Sequence, residues 1–182
     1  MLLRGVTYAQ YEALADARGE SAVPRMTYLG GELELMSPSI DHESIKTMWA
    51  RLLEAYGEEA GIELAGFGSW TVRSEPAERG LEPDECYVIG AVRKPVPDIA
   101  LEVVWTSGLL DKLEVYRGLG VHEVHVWRDG RISIHVLQGG RYQSAPRSDL
   151  LPDLDLDLLT SYLLRPDQTA AVREYRALLR KS

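Results

Sequence analysis

Apolar residues repeat with helical spacing in one long segment of the chain. Between Asp41 and Tyr56 the apolar positions lie three, one, three, one and three residues apart, which places them on one face of a helix. They are Ile45, Met48, Trp49, Leu52, Leu53 and Tyr56. Gly57 follows directly and is a typical helix stop. The pattern therefore predicts a helix over 41–56.

Three further helices are predicted from shorter patterns. Thr7 and Gln10 have the spacing of a capping box, which predicts a helix over 7–18. An amphipathic pattern predicts a C-terminal helix over about 167–181. Another helix is expected over about 109–119, and Gly118 and Gly120 should end it.

Strands are indicated by alternating or continuous apolar runs. Two short strands should surround Gly30-Gly31, and Asp129-Gly130 should join a hairpin. The apolar run over 95–105 fits a central strand that is covered on both faces. Other strands are expected over 62–67, 69–73, 82–89, 121–127 and 132–137 and after Gly140, with a loop over 74–80 and an extended acidic edge segment over 151–157. This order of elements predicts one mixed α/β (α+β) domain spanning 1–182.

Composition limits the class of protein. The 182 residues include 20 basic and 28 acidic side chains, and the net charge of −8 argues against a surface that broadly attracts nucleic acid or membrane. The single cysteine, Cys86, excludes an intramolecular disulfide and a Cys-rich zinc site, and we expect it in the core. A cytoplasmic protein without a membrane partner is expected, because the sequence has neither a signal peptide nor a spanning segment. The absence of asparagine fits either a thermostable protein or a GC-rich genome.

Acidic residues on predicted strands are the first candidates for chemistry. Asp98 and Glu102 lie four residues apart on one strand and therefore face the same side, and Asp84 begins the preceding strand. Acids on an apolar strand are costly to bury unless a counter-charge offsets them, and Mg²⁺ is one such counter-charge. Two structural alternatives remain open: Pro83-Asp84 as an ordinary strand start, and Lys112 as a solvated helix residue.

Other histidines and acids are weaker candidates. His122 and His125 should face opposite sides of a strand, which disfavours a shared metal. The aspartates at 153, 155 and 157 alternate with leucines and are interpreted as a solvated face, because a calcium loop would need a glycine and a terminal glutamate.

The combination of Pro83-Asp84, Glu102 and Lys112 resembles the catalytic set of PD-(D/E)XK nucleases. In that superfamily two acids hold a metal, and a lysine orients the attacking water and stabilises developing charge. The lysine usually lies two residues after the second acid, where this chain has Val104. Lys112 can serve only if the following helix brings its ammonium back over the strand end.

Within that superfamily, the chain resembles a bacterial family of restriction endonuclease-like proteins once classed as a domain of unknown function. The resemblance covers about 24–160 and is carried, in order, by Gly31-Glu32, Met36-Ser37-Pro38, His42, Pro83-Asp84, Pro97 to Val104, Lys112 to Tyr116 and Gly120 to Val124. Two departures are Trp105-Thr106-Ser107, where the family usually has Ser-Pro-Ser, and His125, where an aromatic residue is common. The resemblance implies a restriction-endonuclease-like core with flanking helices and a C-terminal β-hairpin region.

Roles for individual residues follow only from this resemblance. It implies Asp84 and Glu102 as metal ligands with Asp98 as a further ligand, Lys112 as the catalytic lysine, and Glu32 as an additional catalytic acid. His42 would contact substrate or lie near the metal, or else simply belong to the start of its helix. Tyr116, one turn from the lysine, would position it or only pack.

The function implied by the resemblance is a Mg²⁺-dependent endonuclease, with Mn²⁺ also possible, that hydrolyses DNA phosphodiester bonds. Contact with DNA would be local and weak for a monomer, and a homodimer or higher homo-oligomer is expected. Two alternatives are a catalytically inactive nuclease-fold protein that serves in binding or assembly, and a metal-dependent hydrolase of another phosphoester.

Overall fold

The computed structural model describes residues 1–19, 21, 23–104 and 110–181. The helices in these ranges are α1 (Tyr8–Arg18), α2 (Ile40–Ala60), α3 (Lys112–Leu119), α4 (Leu156–Leu163) and α5 (Gln168–Leu179). The strands are β1 (Leu2–Arg4), β2 (Arg25–Leu29), β3 (Glu32–Met36), β4 (Leu64–Gly66), β5 (Val72–Ser74), β6 (Arg79–Leu81), β7 (Glu85–Ile89), β8 (Ile99–Val104), β9 (Glu123–Arg128), β10 (Arg131–Gln138) and β11 (Arg141–Ala145). The departure from the family pattern at 105–107 lies outside the described residues.

The strands form two sheets. The first has the order β1-β3-β2-β6-β5 and is antiparallel throughout. The second has the order β11-β10-β9-β8-β7-β4 and is mixed, because β8 and β9 run parallel. Parallel neighbours need a crossover, and α3 lies in the connection between them. This architecture confirms the predicted mixed α/β class.

The central strand β8 is covered on both faces, as its composition predicts. Ile99, Leu101 and Val103 pack with α2, α4 and α5 on one face of the second sheet. Ala100 points to the other face and packs with α3 and with the first sheet. Glu102 shares that second face, because side chains alternate along a strand. The fold therefore buries an acid between α3 and the two sheets.

Local signals were reliable where they rest on short-range hydrogen bonds or on backbone conformation. Thr7 caps α1, and its side chain and that of Gln10 form the predicted capping box. Asp129 and Gly130 both have positive φ, 50° and 79°, as a tight hairpin between β9 and β10 requires. The predicted strand pair around Gly30-Gly31 is also present, as β2 and β3.

The prediction that Gly57 ends the long helix is wrong. The helix α2 continues to Ala60 and ends at Gly61, which has φ of 67°. A side chain at position 57 would place its Cβ 2.7 Å from Leu64 Cδ1. Gly57 therefore allows the close approach of β4 to the helix.

The prediction of an extended acidic edge over 151–157 is also wrong. Asp155 is the N-cap of α4, where its side chain accepts a hydrogen bond from the Leu158 amide at 2.9 Å. Leu151 and Leu154 are buried under this helix start. The predicted loop over 74–80 likewise contains the first residues of β6.

Cys86 is buried as expected, and burial is the main cause that raises the pKa of its thiol to about 12. In the described part of the chain, no helix combines the length and the apolar character that a bilayer crossing requires.

Candidate active site

A cleft of about 570 Å³ lies where α3, the start of α2 and the two sheets meet. Its lining is mixed: apolar side chains from α3 and the sheets surround a small number of charged groups. The charged and titratable residues along it are Arg25, Glu34, His42, Glu82, Glu102, Asp111, Lys112, Tyr116, Arg128 and His135. Such a concave site with convergent polar groups is the usual form of a ligand or active site.

Glu102 is the most deeply buried acid among those that line this cleft. Its Oε2 accepts a hydrogen bond from Lys112 Nζ at 2.6 Å, and its Oε1 accepts one from Tyr116 Oη. Lys112 and Tyr116 lie one turn apart on α3, so a single helix face supplies both donors. The geometry brings the lysine back over the strand, as a displaced catalytic lysine requires.

Tyr116 remains a hydrogen-bond donor at ordinary pH. Burial and then the negative charge of Glu102 hold the pKa of the Tyr116 hydroxyl well above its usual value. The carboxylate of Glu102 is therefore oriented by one fixed neutral donor and one cation. These two donors explain how an acid with only 2% exposure is tolerated on a buried strand.

Asp84 lies behind the cleft wall, immediately before β7, and is fully buried. Its Oδ2 accepts a hydrogen bond of 2.6 Å from the amide of Val103, the residue after Glu102. Its Oδ1 forms an ion pair with Arg25, whose other terminal nitrogen lies 2.9 Å from Glu43 Oε1. The structure thus places Asp84 beside Glu102, with a guanidinium as its counter-charge.

His42 is buried at the start of α2, where its ring lies between Asp84 and Glu43. Ser39 caps the helix and accepts a hydrogen bond from the His42 amide at 3.2 Å. His42 Nε2 lies 3.0 Å from Asp84 Oδ2, yet neither ring nitrogen has a well-aligned hydrogen bond within the described residues. Burial and the charge of Arg25 lower the pKa of His42, so the ring is neutral near pH 7.

The first sheet contributes Glu34 and not Glu32 to the cleft. Glu34 is buried on β3 and accepts a hydrogen bond from the Leu110 amide at 3.2 Å. Glu32 lies at the turn end of the same strand and pairs with Arg4 at 2.9 Å, outside the cleft lining. Because both acids point to the same face of β3, the sequence pattern contains the signal for Glu34. A catalytic role for Glu32 stays a prediction from the family resemblance, and Glu34 is the acid of this strand that lines the cleft.

Asp98 is also placed away from the cleft. It pairs with Lys94 at 2.7 Å and accepts a hydrogen bond from the Ile89 amide at 2.8 Å. It shares a face with Glu102, but four residues of strand separate their Cα atoms by roughly 13 Å. The two carboxylates therefore do not converge on one ion, and Asp98 instead holds the connection between β7 and β8.

The donor set of the cleft suits a hard divalent cation. Carboxylate oxygens are the ligands that Mg²⁺ prefers, and the cleft offers those of Glu34 and Glu102, with Asp84 behind its wall. His42 adds buried ring nitrogens that no described residue aligns with. Arg25 and Lys112 provide the positive charge in this structure, so an ion held by Asp84 requires the guanidinium of Arg25 to withdraw.

A second group of side chains that could bind a metal lies at the start of β9. One ligand atom each from His122, Glu123 and Asp149 lie within 4.8 Å of one another. Both oxygens of Glu123 are already hydrogen-bonded, to Ser148 and His125 at 2.6 and 2.7 Å and to two backbone amides. This carboxylate therefore serves the structure, which makes the group a poor metal site.

Comparison with known proteins agrees with the class that the fold and cleft indicate, a nuclease-fold protein. The sequence profile of the family described as "Uma2: Putative restriction endonuclease" matches residues 8–166. The chain belongs to this family, which confirms the resemblance found in its sequence motifs.

A solved structure shares the fold. It is described as a "putative nuclease belonging to DUF820" from Anabaena variabilis ATCC 29413, and it aligns with a TM-score of 0.60 at 14% sequence identity. The alignment covers 87% of this chain and 99% of that one. A search of curated proteins gave no match.

Proposed function

We propose that the protein is a Mg²⁺-dependent endonuclease, with Mn²⁺ as a possible substitute, that hydrolyses phosphodiester bonds of DNA. The observation that carries the proposal is the contact of 2.6 Å between Lys112 and Glu102 on the wall of a cleft that also contains Glu34. Family membership supports the same activity.

In this mechanism Glu102 and Asp84 would hold the metal once Arg25 withdraws from Asp84, with Glu34 facing the same cleft. A divalent cation bound there would supply Lewis-acid polarisation of a phosphate oxygen and of the attacking water. Lys112 exchanges its contact with Glu102 for a non-bridging phosphate oxygen and stabilises the charge that develops there. Tyr116 keeps Glu102 oriented while the lysine moves.

The described residues form this cleft once per chain, and a duplex has two strands to cut. We therefore propose that a homodimer or higher homo-oligomer acts on duplex DNA, with each copy cutting one strand. The net charge of −8 favours local contact with phosphates over a broad binding face.

One observation favours a catalytically inactive protein as the second candidate. Asp84 is fully buried and both of its oxygens are already bonded, to Arg25 and to the Val103 amide. The same two bonds would be expected in a protein in which Asp84 only stabilises the fold and binds no metal. Hydrolysis of another phosphoester remains a further alternative with the same cleft chemistry.

Supercoiled plasmid with Mg²⁺ or Mn²⁺ provides the test. We expect the parent protein to nick it, and Lys112→Ala to nick roughly a thousandfold more slowly, because one transition-state donor is lost. Lys94→Ala is the matched control, since Lys94 also pairs with an acid but lies outside the cleft.

Two results would count against the proposal. Equal nicking by the parent and by Lys112→Ala would show that the cleft is not the site. A parent that nicks nothing, and whose melting temperature does not rise with Mg²⁺, would favour the inactive alternative.

A further inference from the structure

The cleft does not end at Glu102 but continues along the same face of the second sheet. In the parallel register of β8 and β9, Glu102 is the partner of Val126 and Val104 is the partner of Arg128. Val126 and Arg128 line the cleft together with Ser133 of β10. A groove therefore leads from the acid and lysine across β9 to β10.

Two arginines stand at the outer end of this groove. Arg128 lines it, and Arg131 is directly opposite Arg128 across the β9–β10 pair, so both side chains lie on the same face. Both residues are exposed. Neither Arg128 nor Arg131 forms an ion pair with another described residue. Nine other arginines do form ion pairs, namely Arg4, Arg18, Arg25, Arg73, Arg79, Arg117, Arg165, Arg176 and Arg180.

Two like charges opposite each other on a sheet repel, unless an anion lies between them. The planar guanidinium group matches a phosphate with two parallel hydrogen bonds. Arg128 is two residues along and one strand across from Glu102, which separates their Cα atoms by roughly 8 Å. A strand with one phosphate at Glu102 and Lys112 would present a neighbouring phosphate to the arginines.

We propose that Arg128 and Arg131 form a phosphate-binding subsite for a polynucleotide strand whose reacting phosphodiester lies at Glu102 and Lys112. This inference rests on the proposed function, which places the reacting phosphodiester at Glu102 and Lys112. The subsite adds the direction in which the nucleic-acid strand runs from that position. It reads the backbone and carries no base specificity. It also makes the protein selective for polynucleotides over small phosphodiesters.

Binding of a fluorescein-labelled DNA duplex, measured by anisotropy in EDTA over a range of salt concentrations, tests the subsite without cleavage. We expect Arg128→Ala/Arg131→Ala to bind roughly tenfold more weakly, with the slope of log K against log salt smaller by about 2. Arg141→Ala/Arg147→Ala removes the same charge and should bind within about twofold of the parent. Both of these arginines are exposed and outside the cleft lining.

A second measurement separates the subsite from the proposed function. With Mg²⁺ or Mn²⁺, the Arg128→Ala/Arg131→Ala variant should lose more activity on DNA, roughly tenfold, than on bis(4-nitrophenyl) phosphate, which has no second phosphate for the subsite to bind. If parent and variant bind and cleave DNA equally, the subsite is overturned while the nuclease stands. If the parent cleaves neither substrate but the variant still binds DNA more weakly than its control, the nuclease fails and the subsite stands. A control that loses as much affinity as the variant also overturns the subsite.

Discussion

Glu102 and Glu123 are buried acids on the adjacent parallel strands β8 and β9, and their surroundings differ. Glu123 accepts hydrogen bonds from His125, Ser148 and the backbone amides of Asp149 and Leu150. Glu102 accepts its bonds from a lysine and a tyrosine of α3 beside a cleft. Backbone and serine donors cannot leave without unfolding the loop, whereas a lysine can transfer to a substrate. The nature of the donors, and not burial, distinguishes Glu123, which holds the fold, from Glu102, which lines the candidate site.

The pKa of Glu123 reflects this difference. Burial raises it, but the hydrogen bonds from His125 and Ser148, the charge of His125 and the backbone bonds together hold the pKa of Glu123 below its usual value. The ionised carboxylate is thus more stable in the folded protein than in the unfolded chain. It joins the start of β9 to the segment that follows β11.

The largest effect on stability is expected from Glu123→Ala. Its removal leaves several buried donors unpaired, which should lower the free energy of unfolding by about 4 kcal/mol. For a domain of this size, the melting temperature should fall by about 10 °C. Glu63→Ala, at an exposed glutamate, is the control and should change the free energy of unfolding by less than about 0.5 kcal/mol. A loss below about 1 kcal/mol for Glu123→Ala would remove the proposed contrast with Glu102.

The next effect is expected from Tyr116→Phe. It removes a donor to the charged Glu102, so chemical denaturation should show a loss of about 2 kcal/mol. Tyr142→Phe is the matched control, because Tyr142 donates to the neutral Val121 carbonyl, and it should lose about 1 kcal/mol. If the two variants lose the same amount, the charge of Glu102 does not strengthen its bond.

A smaller loss is expected from Ser148→Ala. The Ser148 hydroxyl donates to Glu123 and accepts from the Leu151 amide at 2.8 Å. Because three donors to Glu123 remain, we expect a loss of about 1 kcal/mol in urea denaturation. A loss as large as that of Glu123→Ala would show that the serine, and not the acid, holds this loop.

The smallest effect concerns acid stability. Because the folded pKa of Glu123 is lowered, its contribution is fully present above its unfolded pKa of about 4.3 and is lost as pH falls through the folded value. Glu123→Gln has no such proton to bind. Its free energy of unfolding, measured by urea denaturation from pH 7 downward, should therefore fall less steeply below about pH 4.5 than that of the parent. Parallel curves would contradict the lowered pKa.

Most elements of the fold could be predicted, since capping and periodicity act over a few residues. The capping box at Thr7 and the Asp129-Gly130 turn follow from neighbouring side chains and backbone conformation. The errors at Gly57 and Asp155 have another origin. Close approach of β4 requires the glycine inside α2, and an alternation of leucine and aspartate is compatible with a helix cap.

The sequence by itself determined the family, the mixed α/β class and the grouping of Asp84, Glu102 and Lys112 as candidates, because ordered motifs carry that information. Only the tertiary structure decided that Glu34 reaches the cleft in place of Glu32, and that Arg25, 59 residues away in sequence, neutralises Asp84. The physical reason is range. Hydrogen-bond caps and side-chain periodicity are local, whereas the counter-charge of a buried acid comes from whichever strand or helix the fold packs against it.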